Sequence, residues 1–249
     1  MPTVSVIVPS WNDAELLREC LTALAAQTLQ PDEVIVVDNA STDATASVAR
    51  SFGARVVEEP VRGILRATCA GFDAATGDIV ARLDADSVPA ADWVERVASR
   101  LERTPAPAAV VSDGEFVGAT RVIRWFGRRV YLGGYFRAMR LILGQPPLFG
   151  SNMAMHRSAW IAARPRVDVS TPAVHDDLYL SIRLPAQVRV VYDDAMRVTI
   201  SARPFASPAA IVKRMAWGCN TLLEGLIRGG LLRGRRERRR EHRGVPASL

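Results

Sequence analysis

The feature that most restricts the fold is a regular alternation in the first third of the chain. Apolar runs of strand length alternate with stretches of helical periodicity. The strands are Val4 to Pro9, Val34 to Val37, Arg55 to Glu58, and a run from Gly77 that ends at Asp84. Between them lie a helix with Leu16, Leu17, Cys20, Leu21 and Leu24 as its apolar stripe, one from about Thr42 to Phe52, and one from about Ile64 to Ala75 after a Gly63 turn. Asn12 or Asp13 is the expected cap of the first helix. A continuous apolar run suits a strand covered on both faces, and recurrence at three and four residues marks one face of a helix. Such units close in the right-handed sense onto a largely parallel sheet, so an α/β fold is expected.

Polar residues collect where these strands end, at Ser10 to Asp13, Asp38 to Asp43 and Asp84 to Ser87. Ligands of open α/β sheets bind beyond the carboxyl ends of the strands, so the three clusters are expected to meet in one cleft. If the strand continues, Asp84 and Asp86 project to the same face. Their mutual repulsion is relieved by a water-filled cleft or by a hard dication, and Mg²⁺ is often held by one or two carboxylates plus substrate phosphates. Asp84-Ala85-Asp86-Ser87 also suits a plain polar turn before a helix opened by Pro89.

A helix from about Ala90 to Arg103 and a break at Pro105-Ala106-Pro107 lead to a fifth strand, Ala109 to Ser112, where the alternation stops. Arg121 to Leu143 then sets Trp125, Leu132, Phe136, Met139 and Leu143 at helical spacing among Arg121, Arg124, Arg128, Arg129, Arg137 and Arg140. One reading is a helix packed on the sheet, bent at Gly133-Gly134, with its arginines snorkelling. The other is a basic, aromatic surface lying on an anionic membrane. Phe149 to Met155 reads as a loop entering a short strand, Val188 to Tyr192 and Arg197 to Ser201 as strands, and Ser207 to Arg228 as a closing helix. Asp176 and Asp177 open an amphipathic stretch, where carboxylates suit the first turn of a helix.

A chain of 249 residues, 49% hydrophobic, supplies the core of one domain. Its formal charge of +6 is localised: from Arg228 onward there are eight arginines against two glutamates, which accounts for all of it. The basic pI therefore describes the tail, which is expected to be disordered from residue 231 to 249. That tail lacks interleaved aromatics, so no nucleic-acid partner is expected. Cys20, Cys69 and Cys219 give neither a disulfide framework nor a zinc site. With no signal peptide and no apolar run of membrane length, the expected location is cytoplasmic, peripheral at the inner face of the membrane if the Arg-rich segments adsorb there.

Three ordered segments carry a resemblance: Val-Ser-Val-Ile-Val-Pro-Ser-Trp-Asn from Val4, Val-Val-Asp-Asn-Ala-Ser-Thr-Asp from Val36, and Ala-Thr-Gly-Asp-Ile-Val-Ala-Arg-Leu-Asp-Ala-Asp from Ala75. Together they resemble the family 2 inverting glycosyltransferases of the GT-A fold. Gly150-Ser151-Asn152-Met153 is similar to the family's acceptor-side Gly-x-Asn-x loop, and His175-Asp176-Asp177-Leu178 stands where it has its catalytic acidic pair. The resemblance spans about residues 3 to 220. It implies a single GT-A domain over residues 1–230, a Rossmann-like nucleotide-diphospho-sugar transferase with a mixed, mainly parallel sheet and helices on both faces. Residues 1–112 would be its nucleotide-binding half and 113–230 its acceptor-side half.

By the same resemblance, Pro9 and Trp11 would line the base pocket and Asp38 and Asn39 would hydrogen-bond the base. Asp84 would face the ribose and metal, Asp86 would ligate Mn²⁺ or Mg²⁺, Gly150 and Asn152 would serve the acceptor side, and Asp177 beside Asp176 would supply the base. Many members have Asp-Asp in place of Asp38-Asn39, and an Ala-Arg-Asn triplet in place of Ala67-Thr68-Cys69, which leaves Arg66 as the nearby cation. The Gln-x-x-Arg-Trp motif of processive members is absent. The implied activity is metal-dependent transfer of a single sugar from a nucleotide-diphosphate donor to a hydroxyl acceptor, lipid-linked acceptors included, in cell-envelope, polysaccharide or glycolipid synthesis. Two rival readings remain: nucleotidyl transfer to a sugar phosphate, disfavoured because no Gly-rich basic loop follows the first strand, and a non-catalytic protein that binds anionic surfaces through its tail.

Overall fold

The computed structural model describes residues 1–118, 120–171, 174–203 and 208–244. Its first part is the expected alternation: β1 (Val4–Ser10), α1 (Ala14–Ala25), β2 (Glu33–Asp38), α2 (Thr45–Ser51), β3 (Arg55–Glu58), α3 (Ile64–Ala74) and β4 (Ile79–Arg82). These four strands are parallel in the order β3-β2-β1-β4. Every residue of β1 is buried, because helices cover both faces of the sheet. Val4, Val6 and Val8 enter one core with Leu17, Leu24 and Trp93, while Ile7 between them enters the other with Phe72, Trp160 and Tyr179. That is the two-residue side-chain period of a strand, expressed as two cores. Gly71 brings α3 against β1 so closely that a Cβ there would collide with Ile7 and Val37.

The rest of the chain comprises β5 (Ser87–Pro89), α4 (Trp93–Glu102), β6 (Ala108–Val111), β7 (Glu115–Val117), α5 (Arg121–Phe126), a π-helical segment (Gly127–Leu132), α6 (Gly133–Leu143), β8 (Met153–His156), α7 (Arg157–Ala163) with a 3₁₀ turn (Arg164–Arg166), α8 (Asp176–Arg183), β9 (Arg189–Tyr192), β10 (Val198–Ser201), α9 (Pro208–Ile227) and α10 (Gly230–Gly244). β8 enters the main sheet antiparallel between β4 and β6, and β9 joins β6 in parallel, giving the order β3-β2-β1-β4-β8-β6-β9. A second sheet, β5-β10-β7, stands beside it.

Four local expectations are corrected. Pro89 opens no helix: it ends β5, and α4 starts at Trp93, so the acidic turn links two sheets. Asp13 holds the N-cap position of α1 but its side chain caps no N–H; Asp43 from the next loop accepts the Ala14 N–H at 3.1 Å. The helical run from Arg121 is continuous through Gly133-Gly134, and its irregularity is the π-helical segment before them. The Arg-rich tail is helical as far as Gly244, with Leu231 and Arg238 buried and Arg238 Nε donating to the Leu143 carbonyl at 2.9 Å. That bond satisfies one of the orphan carbonyls at the end of α6. Ser207, the expected start of the closing helix, and residues 245–249 lie outside the described residues. Among those described, no helix is long and apolar enough to cross a membrane.

Candidate active site

Beyond the carboxyl ends of β1 and β4 lies a cavity of about 990 Å³, lined on one side by Pro9, Trp11, Asn39, Asp84 and Asp86 and on the other by Gly150, Asp176 and Asp177. Tyr131, Tyr135 and Met139 of the helical run and Met215 and Trp217 of α9 add aromatic and apolar lining. Asp38 and Arg66 are not on the wall. Asp38 instead accepts the Ser41 N–H at 3.0 Å and closes the turn after β2.

On the expected nucleotide side, Pro9 is buried at the end of β1 and Trp11 is 41% exposed, with the Arg62 guanidinium 3.2 Å from its ring centroid. This is a cation–π contact, and Arg62, not Arg66, lines the cavity there. Asn12 locks the two loops together, donating its N–H to Ser41 Oγ at 3.1 Å and accepting from Thr42 N at 2.7 Å. The Asn39 amide is committed to backbone. It donates to the carbonyls of Glu59 at 3.0 Å and Val61 at 2.9 Å, and accepts from Gly63 N at 2.8 Å. Its side chain therefore shapes the loop that carries Arg62, at the edge of the cavity.

At the centre is a residue the sequence reading passed over. Arg82 is 2% exposed; its Nη2 donates to Asp84 at 2.8 Å and its Nη1 pairs with Asp176. Burial opposes its charge, but Asp176 and Asp84 on either side hold it protonated. Gly150 makes room for it, since a Cβ there would lie 2.8 Å from Arg82 Cζ. Burial raises the proton affinity of Asp84, yet Arg82 and the Ser151 hydroxyl at 2.6 Å outweigh it and hold the carboxyl below its usual range. Asp176 also accepts from Thr68 Oγ1 of α3 at 3.2 Å.

Asp86 and Asp177 behave oppositely. Burial and the nearby Asp84 charge push Asp86 up, partly offset by Arg203, whose Nη2 and Nε donate to it at 2.8 and 3.2 Å. Arg203 Nη1 also reaches Asp13 at 2.7 Å, so one side chain spans the loops after β1 and β4. Burial and then the Asp176 charge push Asp177 up, against the pull of His175 and the Gly150 N–H. Asp177 accepts from Gly150 N at 3.1 Å and from Leu178 N at 2.7 Å, which fixes its carboxylate at the start of α8.

Asn152 is not on the cavity. It is fully buried, accepts from Trp93 Nε1 at 2.9 Å, and donates to the carbonyls of Asp113 at 2.9 Å and Met196 at 2.7 Å. It staples α4 to the loops before β7 and β10, behind the wall that Gly150 forms. Among the described residues no three His, Cys, Asp or Glu side chains gather as a complete metal site. Asp86 is nevertheless a hard oxygen donor beside the Asp84 carboxylate, with Arg203 as its present cation, a set that suits a dication whose remaining ligands arrive as phosphate oxygens.

A family model described as Glycosyl transferase family 2 matches residues 5–162. The chain is 38% identical over 112 residues to Glycosyltransferase AglE of Haloferax volcanii, across 42% of this chain and 37% of that protein. It is 33% identical over 134 residues to a PGL/p-HBAD biosynthesis glycosyltransferase of Mycobacterium bovis, across 51% of each. These matches span about half or less of the relatives' own length. Among solved structures it is similar to the mannosyltransferase PcManGT from Pyrobaculum calidifontis in complex with GDP-Man and Mn²⁺, with TM-score 0.67, 26% identity, and 86% of this chain and 61% of that one covered. It shares its fold with glucosyl-3-phosphoglycerate synthase from Mycobacterium tuberculosis in complex with Mn²⁺, UDP and glucosyl-3-phosphoglycerate, at TM-score 0.63 and 24% identity over 90% of this chain and 80% of that one.

Proposed function

Because the chain belongs to glycosyl transferase family 2, we propose that it transfers a single sugar from a nucleotide-diphosphate donor to a hydroxyl acceptor with inversion at the anomeric carbon. The observation that carries this reading is Asp177: a buried carboxylate on the cavity wall, oriented by the Gly150 N–H, whose proton affinity is raised. A base so tuned accepts a proton more readily than an ordinary carboxylate, and positioned base catalysis contributes typically ~10²–10⁴ in rate.

Asp177 takes the proton of the acceptor hydroxyl as its oxygen attacks the anomeric carbon. The bond from that carbon to the diphosphate oxygen breaks on the opposite face, and its electron pair leaves with the nucleotide diphosphate. Arg82 holds Asp176 as a paired carboxylate, so Asp176 positions and Asp177 reacts. On the donor side, Trp11 and Pro9 offer the base a flat apolar seat, with Arg62 as a cationic cover. Asp86, with Asp84 behind it, would hold Mn²⁺ or Mg²⁺ together with the diphosphate. When bound, such an ion offsets the charge that develops on the leaving group. The GDP-Man and UDP complexes of the structural neighbours support a nucleotide-diphosphate donor. Residues 1–112 supply the donor half and 113–230 the acceptor half. Three free cysteines suit a reducing, cytoplasmic setting.

The test is thermal denaturation with GDP or UDP, with and without Mn²⁺, since a ligand that binds the folded state raises its apparent stability. One of the two should give a metal-dependent upward shift, which Asp86→Ala removes and Asp177→Asn keeps. Asp177→Asn should lose sugar transfer. Full transfer by both variants overturns the reading.

A further inference from the structure

Resting on the transfer reading above, we propose that the helical run Arg121–Leu143 is an adsorption surface for an anionic lipid bilayer, which presents a membrane-borne hydroxyl acceptor to the cavity. The run carries Arg121, Arg124, Arg128, Arg129, Arg137 and Arg140, and no Asp or Glu occurs in the sequence between Glu115 and Asp168. The run itself thus carries charge of one sign, and of its arginines Arg128 pairs with Asp113 at 3.6 Å. No residue of α5 is buried, and Val122 (74%), Trp125 (62%) and Leu141 (73%) are among the exposed large apolar side chains of the chain.

Cationic charge and exposed apolar bulk in one short run select the partner. A nucleic-acid backbone would engage the arginines and leave Val122 and Leu141 in water. A second copy of the surface would set arginine against arginine. The bilayer interface offers anionic headgroups to the guanidinium groups and the acyl boundary to Val122, Trp125 and Leu141. Placement supplies the link to chemistry. Tyr131, Tyr135 and Met139 of the same run line the cavity that holds Asp177. The run that adsorbs is thus also a wall of the cavity, which brings a hydroxyl carried on a lipid close to the base.

The experiment is co-sedimentation of the full chain with vesicles of phosphatidylcholine alone or mixed with phosphatidylglycerol. Binding to the mixed vesicles only, weakening as salt rises, is expected. The double variant Val122→Ser/Trp125→Ser should bind roughly tenfold more weakly or worse, and Arg121→Gln/Arg129→Gln should lose the preference for anionic vesicles. Both should keep the melting temperature and any Mn²⁺-dependent nucleotide shift of the parent, which shows an intact fold and donor site. No vesicle binding overturns the proposal. So does binding unchanged in both variants, or retention of duplex DNA or of a self-associated form that the variants abolish. Vesicle binding through these residues without any nucleotide shift supports the surface but overturns the transfer reading, and the acceptor clause falls with it.

Discussion

Arg82 is the side chain on which most of the site's geometry depends, because two carboxylates on opposite walls share its charge. Breaking a buried pair by removing one partner leaves an uncompensated charge, which costs about 3–5 kcal/mol. Arg82→Leu should therefore lower stability by that amount in chemical denaturation and abolish transfer. Gly150→Ala attacks the same point sterically, since its Cβ would overlap the guanidinium; overpacking of this kind costs about 1–3 kcal/mol. The raised proton affinity of Asp177 has a kinetic sign. A base works unprotonated, so kcat/KM should fall as pH drops through a value displaced upward from the usual carboxylate range, and rate measurements across pH should show that acid limb shifted. Asp84 and Asp86 line the cavity at the strand end that the sequence marked, and Asp176 and Asp177 line it where the resemblance set an acidic pair, yet the turn made by Asp38 and the bonding of Asn39 and Asn152 were not legible. An asparagine amide serves a ligand or a backbone carbonyl equally well, and only tertiary contacts decide. Arg82 did leave a signal, a charge inside an apolar strand run, whereas nothing around Arg203 in the sequence points to Asp86.

At the scale of elements, runs long enough to fill a core face were readable, and β1 to β4 fall where the apolar runs lie. β5 and β7 were not, because each is three residues long and exists only through pairing with β10. α10 misled by composition. Its arginines suggested a solvated tail, but Leu231 packs with Leu143, Leu178 and Ile182, behind the helix that carries Asp176 and Asp177. Truncation after Arg228 should therefore lower the melting temperature and impair transfer by loosening α8. It should leave a metal-dependent nucleotide shift in place, since α10 packs mainly on α6, α8 and α9 rather than on β1 to β4. Retained transfer in the truncated chain would show that α8 is held without α10.

Across the whole molecule, the two sheets and the helices behind them meet at the cavity, and two arginines stitch its parts together. Arg203 joins the loop after β1 and the turn after β4 to the end of β10. In Arg203→Ala, Asp86 loses a cation that competes with a metal for its oxygens. The Mn²⁺ concentration needed for half of the nucleotide-dependent thermal shift should fall by a fewfold. Arg82 makes a different kind of seam, because it rises from β4, within residues 1–112, and finds Asp176 in α8, beyond them. Recombining this chain with a relative at that boundary would pair its arginine with a foreign carboxylate pattern, or strand Asp176 beside a neutral strand. Residues 82 and 176 are thus one joint between distant stretches of the chain, and an exchange of segments across it keeps that joint only if both side chains travel together.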